Sequence, residues 1–541
     1  MVVVKITLVS NKIILLIFLL FDFIIENIMK DNVRINVIVN LIRTFVLTLL
    51  SFITFPWVCR ALEDTVLGAY SWALTFVSYF LILAKVGIPN LAVRECVKVR
   101  DDKEKLSNKV QALFILQGIA TVGSFILMAI LVFAVPDLRS KDPANMSALI
   151  FILSLNFLTG AFSFEWVFIA LEKQFYMSVR SIVVLSISAM LIIIFVTNPS
   201  DVYIYAFISI GVTLFTSIIN FLYVTRFISF KKTLPYEFKQ YIKPLLVLFS
   251  VTLTLSLYNQ TDTFILGFID KTKGEVGSYS VGIKGIDIVI GVLSNLGTVF
   301  IPRSAYYYEK EDKRFFKNLT KYSMNICFFI VIPAIVAMIV LSKPICSLIS
   351  GNSELDLNNT SGGYNDSYLV LMILAAMMLT YSLGEIIYGQ ILLPTKKEKY
   401  YLYALLIGVV INAILSIVLG RFVFKSHPAI GVAIGTVCTD VAIFVFLAIK
   451  TWVWVKEALF NKNTLKLVIS GFLVALISIL VVLIAPKLLS SLGREWQYLI
   501  QIALVLVLGG LVYIVSLLIM KEDLVSSFIR HRKKEEEITN D

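Results

Sequence analysis

Fourteen apolar stretches, each about long enough to cross a bilayer, fill the chain from residue 35 to residue 520. They cover 35–58, 68–87, 110–135, 148–170, 179–196, 203–225, 244–268, 281–301, 323–341, 368–391, 401–420, 430–449, 467–485 and 496–520, spans 1 to 14 below. A hydrocarbon core of about 30 Å needs about 20 helical residues, and helices buried in a water-soluble domain are seldom apolar all round at that length. Lipid is therefore the solvent for most of this chain. The composition agrees, with 58% hydrophobic and 16% charged residues against roughly 25% charged in a soluble domain. A β-barrel would show short segments of alternating polarity, and these are absent. The expected fold is an all-α polytopic membrane protein with 14 transmembrane helices.

The net charge of +12 invites a nucleic-acid reading, so its distribution decides. Most of the 48 basic residues lie in the N-terminal flank, in the junctions after spans 2, 4, 6, 8, 10 and 12, and in the tail. The alternate junctions hold few. Positive residues favour the cytoplasmic side, so both ends of the fourteen-span unit are expected in the cytoplasm. The charge is a topology signal and implies no nucleic acid. The five cysteines, Cys59, Cys96, Cys327, Cys346 and Cys438, show no CxxC spacing, which indicates neither a disulfide framework nor a zinc site. His427 and His531 stand apart from one another in a loop and the tail. Trp57, Trp72, Trp166 and Trp496 lie near span ends, where interfacial anchoring is the expected role.

Residues 1–28 carry an apolar run, Ile13–Ile28, interrupted by Asp22 and Glu26. A signal-like segment, an extra short span and sequence upstream of the true start compete for it. The run lacks a small-residue cleavage site, and Met29-Lys30 followed by span 1 reads as a natural beginning, which favours the third. No soluble domain separates from the rest. The longest outward loop, about 342–367, holds Gly351-Asn352-Ser353-Glu354 and is Gly/Asn-rich, too short for an independent catalytic fold.

The chain also echoes itself. Val66-Leu67-Gly68-Ala69-Tyr70-Ser71 after span 1 meets Glu275-Val276-Gly277-Ser278-Tyr279-Ser280 after span 7, 209 residues on. Arg100–Lys105 meets Glu309–Arg314 at the same offset, and Glu165-Trp166 in span 4 meets Glu385-Ile386 in span 10. Three echoes in one helix order imply a duplicated six-helix unit. The expected organisation is a 1–28 extension, an N-lobe at 29–225 (helices 1–6), a C-lobe at 226–451 (helices 7–12), helices 13–14 at 452–520 and a cytoplasmic tail at 521–541. Spans 1 and 7 start on the same side, and transporters built from parallel repeats place substrate between the halves.

The segments Asn40-Leu41-Ile42-Arg43, Pro56-Trp57-Val58-Cys59-Arg60, Leu67-Gly68-Ala69-Tyr70-Ser71, Ala92-Val93-Arg94-Glu95 and Gln260-Thr261-Asp262-Thr263-Phe264, in this order, resemble those of Wzx-type oligosaccharide flippases. The resemblance spans about 29–520 and rests on order and helix count. It implies the superfamily that also holds multidrug antiporters and peptidoglycan-precursor flippases. It further implies a bacterial plasma-membrane transporter that moves an undecaprenyl-pyrophosphate-linked oligosaccharide to the outer leaflet for capsule, O-antigen or related polysaccharide, possible partners including the polymerase machinery.

Ionisable groups at membrane depth are costly and so mark function. Arg43, in span 1, reads as a cavity cation for a diphosphate, with a structural salt bridge and snorkelling as competitors; Arg suits oxyanions through its planar fork. Lys284 and Asp287 are i, i+3 neighbours, either a self-neutralising pair or one that phosphate can open. Asn259, Gln260, Thr261 and Asp262 form a polar run expected to line the cavity and meet sugar hydroxyls. Arg60, Arg94 and Arg303 at span ends divide between phosphate contact and topology anchoring. Glu165 and Glu385, in matching places, read as an interlobe bridge or as proton-coupling groups; Asp440 reads as a local cap or pair. Tyr306-Tyr307-Tyr308 is an interfacial anchor more readily than a sugar platform. No cofactor is implied, and a proton gradient, a sodium gradient, membrane potential and downstream polymer consumption are all compatible drives. Two other functions compete: a cation-coupled multidrug antiporter, which favours an acidic cavity, and a membrane polymerase or glycosyltransferase, which needs a catalytic loop or domain.

Overall fold

A computed structural model describes residues 33–231, 235–357 and 363–526; the expected extension at 1–28 lies outside them. In lipid every backbone N–H and C=O must find a partner inside the chain, and the described residues meet that demand with helices and turns alone. The first half holds α1 (Val33–Lys85), α2 (Ile88–Val97), α3 (Lys103–Ala134), α4 (Met146–Ser154), α5 (Asn156–Phe162), α6 (Glu165–Ala170), α7 (Gln174–Phe195) and α8 (Val202–Val224). The second holds α9 (Lys239–Ile269), α10 (Gly274–Val299), α11 (Ile301–Glu309), α12 (Lys313–Val340), α13 (Ser342–Ser350), α14 (Ser367–Ala375), α15 (Met377–Ile386), α16 (Lys399–Val418) and α17 (Pro428–Lys450). The chain continues through α18 (Trp452–Leu459), α19 (Lys462–Leu488) and α20 (Arg494–Ile519).

Every expected span falls on helix, but the count differs from fourteen. Among the described residues, eleven helices are long and apolar enough to cross a membrane, or twelve if α14 and the run Met377–Leu392, bent by 41°, make one span. Spans 1 and 2 share the single stretch Val46–Val97 in that count, and α10, which carries span 8, is outside it. A straight helix of the 53 residues of α1 would run about 80 Å, far beyond any bilayer. It is broken at Glu63, whose φ of 62° and ψ of 171° fold span 2 back from span 1. Span 4 is likewise built from α4, α5 and α6, with a left-handed Phe164 (φ 45°) at the last break.

Side-chain caps start several of the helices. Asp102 accepts the Glu104 and Lys105 N–H groups at α3, Asp312 the Phe315 N–H at α12, and Asn461 the Thr464 N–H at α19. Each satisfies amides that the first helical turn leaves unpaired. These three turns lie at the end of the molecule that carries the basic loops, called the basic end here. The opposite end holds residues 351–357 and 363–366 and is called the strap end. The lipid-facing surface is apolar, as at Phe472, Leu488 and Ile519, which are 65%, 76% and 76% exposed. Two tryptophans depart from the belt expectation: Trp72 and Trp166 are buried, whereas Trp57 and Trp496 are exposed. Trp72 enters the core because Gly267 on α9 leaves room for its ring, and its Nε1 donates to Phe264 O at 3.1 Å.

Candidate functional site

The two halves meet most closely at the strap end. A Cβ on Gly68 would stand 1.8 Å from Lys273 O and 2.8 Å from the Gly277 N, and one on Gly277 would stand 2.1 Å from Asp64 O. The glycines of the two G-x-Y-S echoes therefore face each other, and the absence of side chains is what lets α1 and α10 touch backbone to backbone. Residues 363–364 close over this contact. A Cβ on Gly363 would be 2.8 Å from Asp64 Cγ, and the Tyr364 hydroxyl donates to Cys59 O at 2.9 Å. Arg60 belongs to the same seal, with its guanidinium on Leu348 O at 3.0 Å and 3.3 Å from Glu495.

Below the seal a cavity of about 270 Å³ lies between α1 and α10, lined by Thr48, Ser51, Phe55, Lys284 and Asp287 among others. The Lys284 ammonium stands 5.5 Å from the Phe55 ring centre. No hydrogen-bonded ion pair joins it to Asp287 among the described residues, although the two charges act on each other across the cavity they both line. Arg43 is half-buried and sits one turn toward the basic end from the cavity residue Leu47. Positions 43, 47, 51 and 55 recur at i, i+4, so they share one face of α1. Arg43 thus lies on the face of α1 that lines the cavity, nearer the basic end than Lys284. Arg94 on α2 and Arg303 on α11 are exposed at the basic end, away from the cavity residues.

The polar run of α9 does not act as one lining. Four consecutive residues spread around most of a helical turn, and the structure separates them. Asn259 is exposed, Gln260 accepts from the Ser78 hydroxyl of α1, and Asp262 is buried inside the second half. The Asp262 oxygens accept from Tyr279 Oη and Asn412 Nδ2, both at 2.8 Å. One turn away Tyr258 donates to Asp440 Oδ1, while Asp440 Oδ2 has no partner among the described residues. Two buried carboxyls thus meet only neutral donors. Asn412, alone and polar in the middle of span 11, is the sequence signal that points to this group.

Neither of the matching glutamates bridges the halves. Glu165 pairs with Arg180 of its own half at 2.7 Å, and Glu385 accepts from Tyr401 Oη of its own half at 2.7 Å. Arg180 stands at the second residue of span 5 and reads in sequence as one more boundary charge. It is 4% exposed and also donates to Asn220, whose amide in turn donates to Ser163 O at the break in span 4. Removing one partner of a buried ion pair costs about 3–5 kcal/mol; here the Glu165 side chain is 47% exposed, which reduces the effect. Glu165→Leu is therefore expected to cost about 2 kcal/mol, seen as a lower unfolding temperature of the detergent-solubilised protein. The double change Glu165→Leu/Arg180→Met should recover most of it. An unchanged single variant would show that the pair does not stabilise the break.

The model of a family described as "Polysaccharide biosynthesis protein" matches residues 33–307, and that of the MatE family matches 248–418. A chain from Escherichia coli (strain K12) that bears the name of an O-antigen transporter is 25% identical over 397 residues, covering 72% of this chain and 90% of its own length. Lipid II flippase MurJ of Bacillus subtilis (strain 168) is 22% identical over 298 residues, 54% of this chain and 52% of its own. Among solved structures, a lipid II flippase MurJ in an inward closed conformation superposes with a TM-score of 0.66 at 19% identity, over 90% of this chain and 99% of that one. An inward-facing multidrug resistance MATE transporter gives 0.53 at 15% identity, over 75% and 96%. At such identities the structural likeness is one of fold.

Proposed function

Because the chain belongs to the polysaccharide biosynthesis protein family, the Wzx-type branch of the superfamily that includes MATE transporters, we propose that it is a flippase for undecaprenyl-pyrophosphate-linked oligosaccharide repeat units. In this reading the basic end faces the cytoplasm, residues 29–225 and 226–451 are two lobes, and cargo passes between them by alternating access. The observation that carries it is the cavity between α1 and α10, where Lys284 stands against the Phe55 ring with no hydrogen-bonded ion pair to Asp287, the acid that shares the lining. A diphosphate is anionic and hydrated, and crossing hydrocarbon unaided would expose its charge. Lys284 and Arg43 offer it cations, Thr48 and Ser51 offer hydroxyls to sugar, and the lipid tail stays in the bilayer. The relatives named for O-antigen transport and lipid II flipping support a lipid-linked saccharide cargo.

Asp262 and Asp440, buried among neutral donors, are where a proton or sodium gradient would act, since burying a lone carboxylate is costly until a cation joins it. An antiporter of organic cations is the second reading, favoured by the MatE match. Deleting the gene and analysing undecaprenyl-linked intermediates separates the two. A complete repeat unit accumulating on the cytoplasmic leaflet, with loss of surface polymer, is the expected outcome. Normal polymer with new drug sensitivity would replace the flippase reading by the antiporter.

A further inference from the structure

Glu275, Asp366 and His427 come from three separated segments and converge at the strap end of the second half. Glu275 lies in the first turn of α10, Asp366 immediately before α14, and His427 immediately before α17. One ligand atom from each lies within 4.8 Å of the others. His427 Nδ1 is 2.9 Å from Asp366 Oδ1, and Asp366 is 2% exposed. Glu275 is fixed from both sides, its Oε2 accepting the Ala429 N–H at 3.0 Å and its own N–H donating to Asp270 Oδ2 at 2.9 Å. Neither Glu275 nor Asp366 forms an ion pair with a lysine or arginine among the described residues. Two carboxyls therefore face each other, one of them nearly fully buried, with the His427 imidazole as the basic side chain in contact with them among the described residues.

We infer that these three side chains form a binding site for a divalent transition cation of the zinc type. The donor set of one imidazole nitrogen and two carboxylate oxygens suits Zn²⁺, Co²⁺ or Mn²⁺, and the nitrogen argues against Ca²⁺ or Mg²⁺. Ligand atoms held at about 2.0–2.1 Å around one tetrahedral ion lie roughly 3.3 Å apart, so the observed spacing needs only side-chain adjustment. The partners of Glu275 supply the outer hydrogen bonds that orient a ligating carboxylate. Access is open as well. Glu275 borders a cavity of about 470 Å³ that also holds Asp270, Arg421 and Lys425, and the His427 side chain is 33% exposed.

The position gives the site a consequence. Asp366 ends the strap that carries Gly363 and Tyr364 onto Asp64 and Cys59, and Glu275 follows the turn whose Lys273 carbonyl meets Gly68. An ion would bind strap and turn to each other and to the start of α17, so that both are presented together to α1. Binding therefore favours the closed strap end; this part rests on the two-lobe reading, whereas binding itself does not.

The test uses the purified full-length protein in detergent and Zn²⁺ or Co²⁺ alone. One ion per chain is expected, with visible Co²⁺ absorption of a mixed nitrogen–oxygen site, and His427→Ala and Glu275→Gln should each weaken binding at least tenfold. Zn²⁺ should slow hydrogen exchange of residues 363–366 and 270–275 in the native protein and leave exchange unchanged in His427→Ala. No binding, or binding indifferent to His427→Ala, overturns the site. Binding that leaves exchange of the strap unchanged overturns the link to strap-end closure and leaves the site standing. Because neither readout involves transport, failure here is distinct from failure of the flippase reading.

Discussion

Gly68→Ala is expected to cut surface polymer to a small fraction of the native level while the protein still inserts at normal abundance. The new methyl carbon would stand 1.8 Å from Lys273 O, and that obstacle is backbone, so no rotamer change relieves it. The halves must part at the strap end by well over an ångström. Overpacking costs typically 1–3 kcal/mol, and a rigid backbone obstacle places this change near the top. About 3 kcal/mol is a shift of roughly a hundredfold in the balance between closed and open states. A transporter held open at one end cannot complete its cycle. Cys59 and Cys346 are both buried beside the seal, so they report on it directly. In a Cys438→Ser background, which removes an exposed thiol, a membrane-impermeant maleimide should label Gly68→Ala at least tenfold faster than the parent. Gly277→Ala, with its 2.1 Å approach to Asp64 O, should do the same. Unchanged labelling together with unchanged polymer would mean that this contact is not a seal.

The seal is also where sequence and structure agree most fully. Gly68 and Gly277 stand out as an echo 209 residues apart, and the structure brings them face to face. A Cβ at either position would strike backbone of the facing segment, so both need the same small residue and its recurrence is visible before any contact is known. Helix content is legible for an equally direct reason, since lipid permits few other ways to satisfy the backbone. The span count is less so: spans 1 and 2 join without a loop through the reversal at Glu63 and so merge when continuous helix is counted. Lys284 and Asp287 are recognisable as charges at depth, but whether they pair depends on Phe55, which comes from another helix.

The polar groups that pair over long range are the least legible. His427 reads as an isolated loop residue because its partners lie 61 and 152 positions away along the chain. Asp262 reads as a cavity group because depth is visible in a hydropathy pattern, whereas the direction a side chain faces within a bundle is set by neighbours such as Asn412 and Tyr279. Arg180 hides for a related reason. At the margin of a span a basic residue is normally a topology signal, and only the break in span 4 brings Glu165 to it as an acidic partner.

Lys284→Ala is expected to reduce surface polymer at least tenfold, with complete repeat units retained on their lipid carrier and protein abundance unchanged. No hydrogen-bonded ion pair holds the ammonium among the described residues, and its acidic neighbour Asp287 borders the same open cavity, so a folding defect is not the expected cause. What disappears is a cation in the cavity. A hydrogen bond to a charged group contributes about 1.5–3 kcal/mol, which corresponds to roughly 10- to 150-fold in transport rate. Lys284→Arg should keep most activity, because the guanidinium also presents a positive charge and donors to phosphate. Phe55→Ala should have a smaller effect, since a cation–π contact contributes about 0.5–2 kcal/mol and acts only by holding the ammonium in place. Asp287→Asn separates the two roles open to that acid. If Asp287 serves to draw Lys284 away from bound phosphate, its loss should slow release and lower polymer while cargo still binds. If it serves only to neutralise the cavity, polymer should stay near native. Native polymer in Lys284→Ala would remove the cation from the mechanism and leave Arg43 as the phosphate group to test, whereas loss in both Lys284→Ala and Lys284→Arg would point to packing against Phe55 as its role.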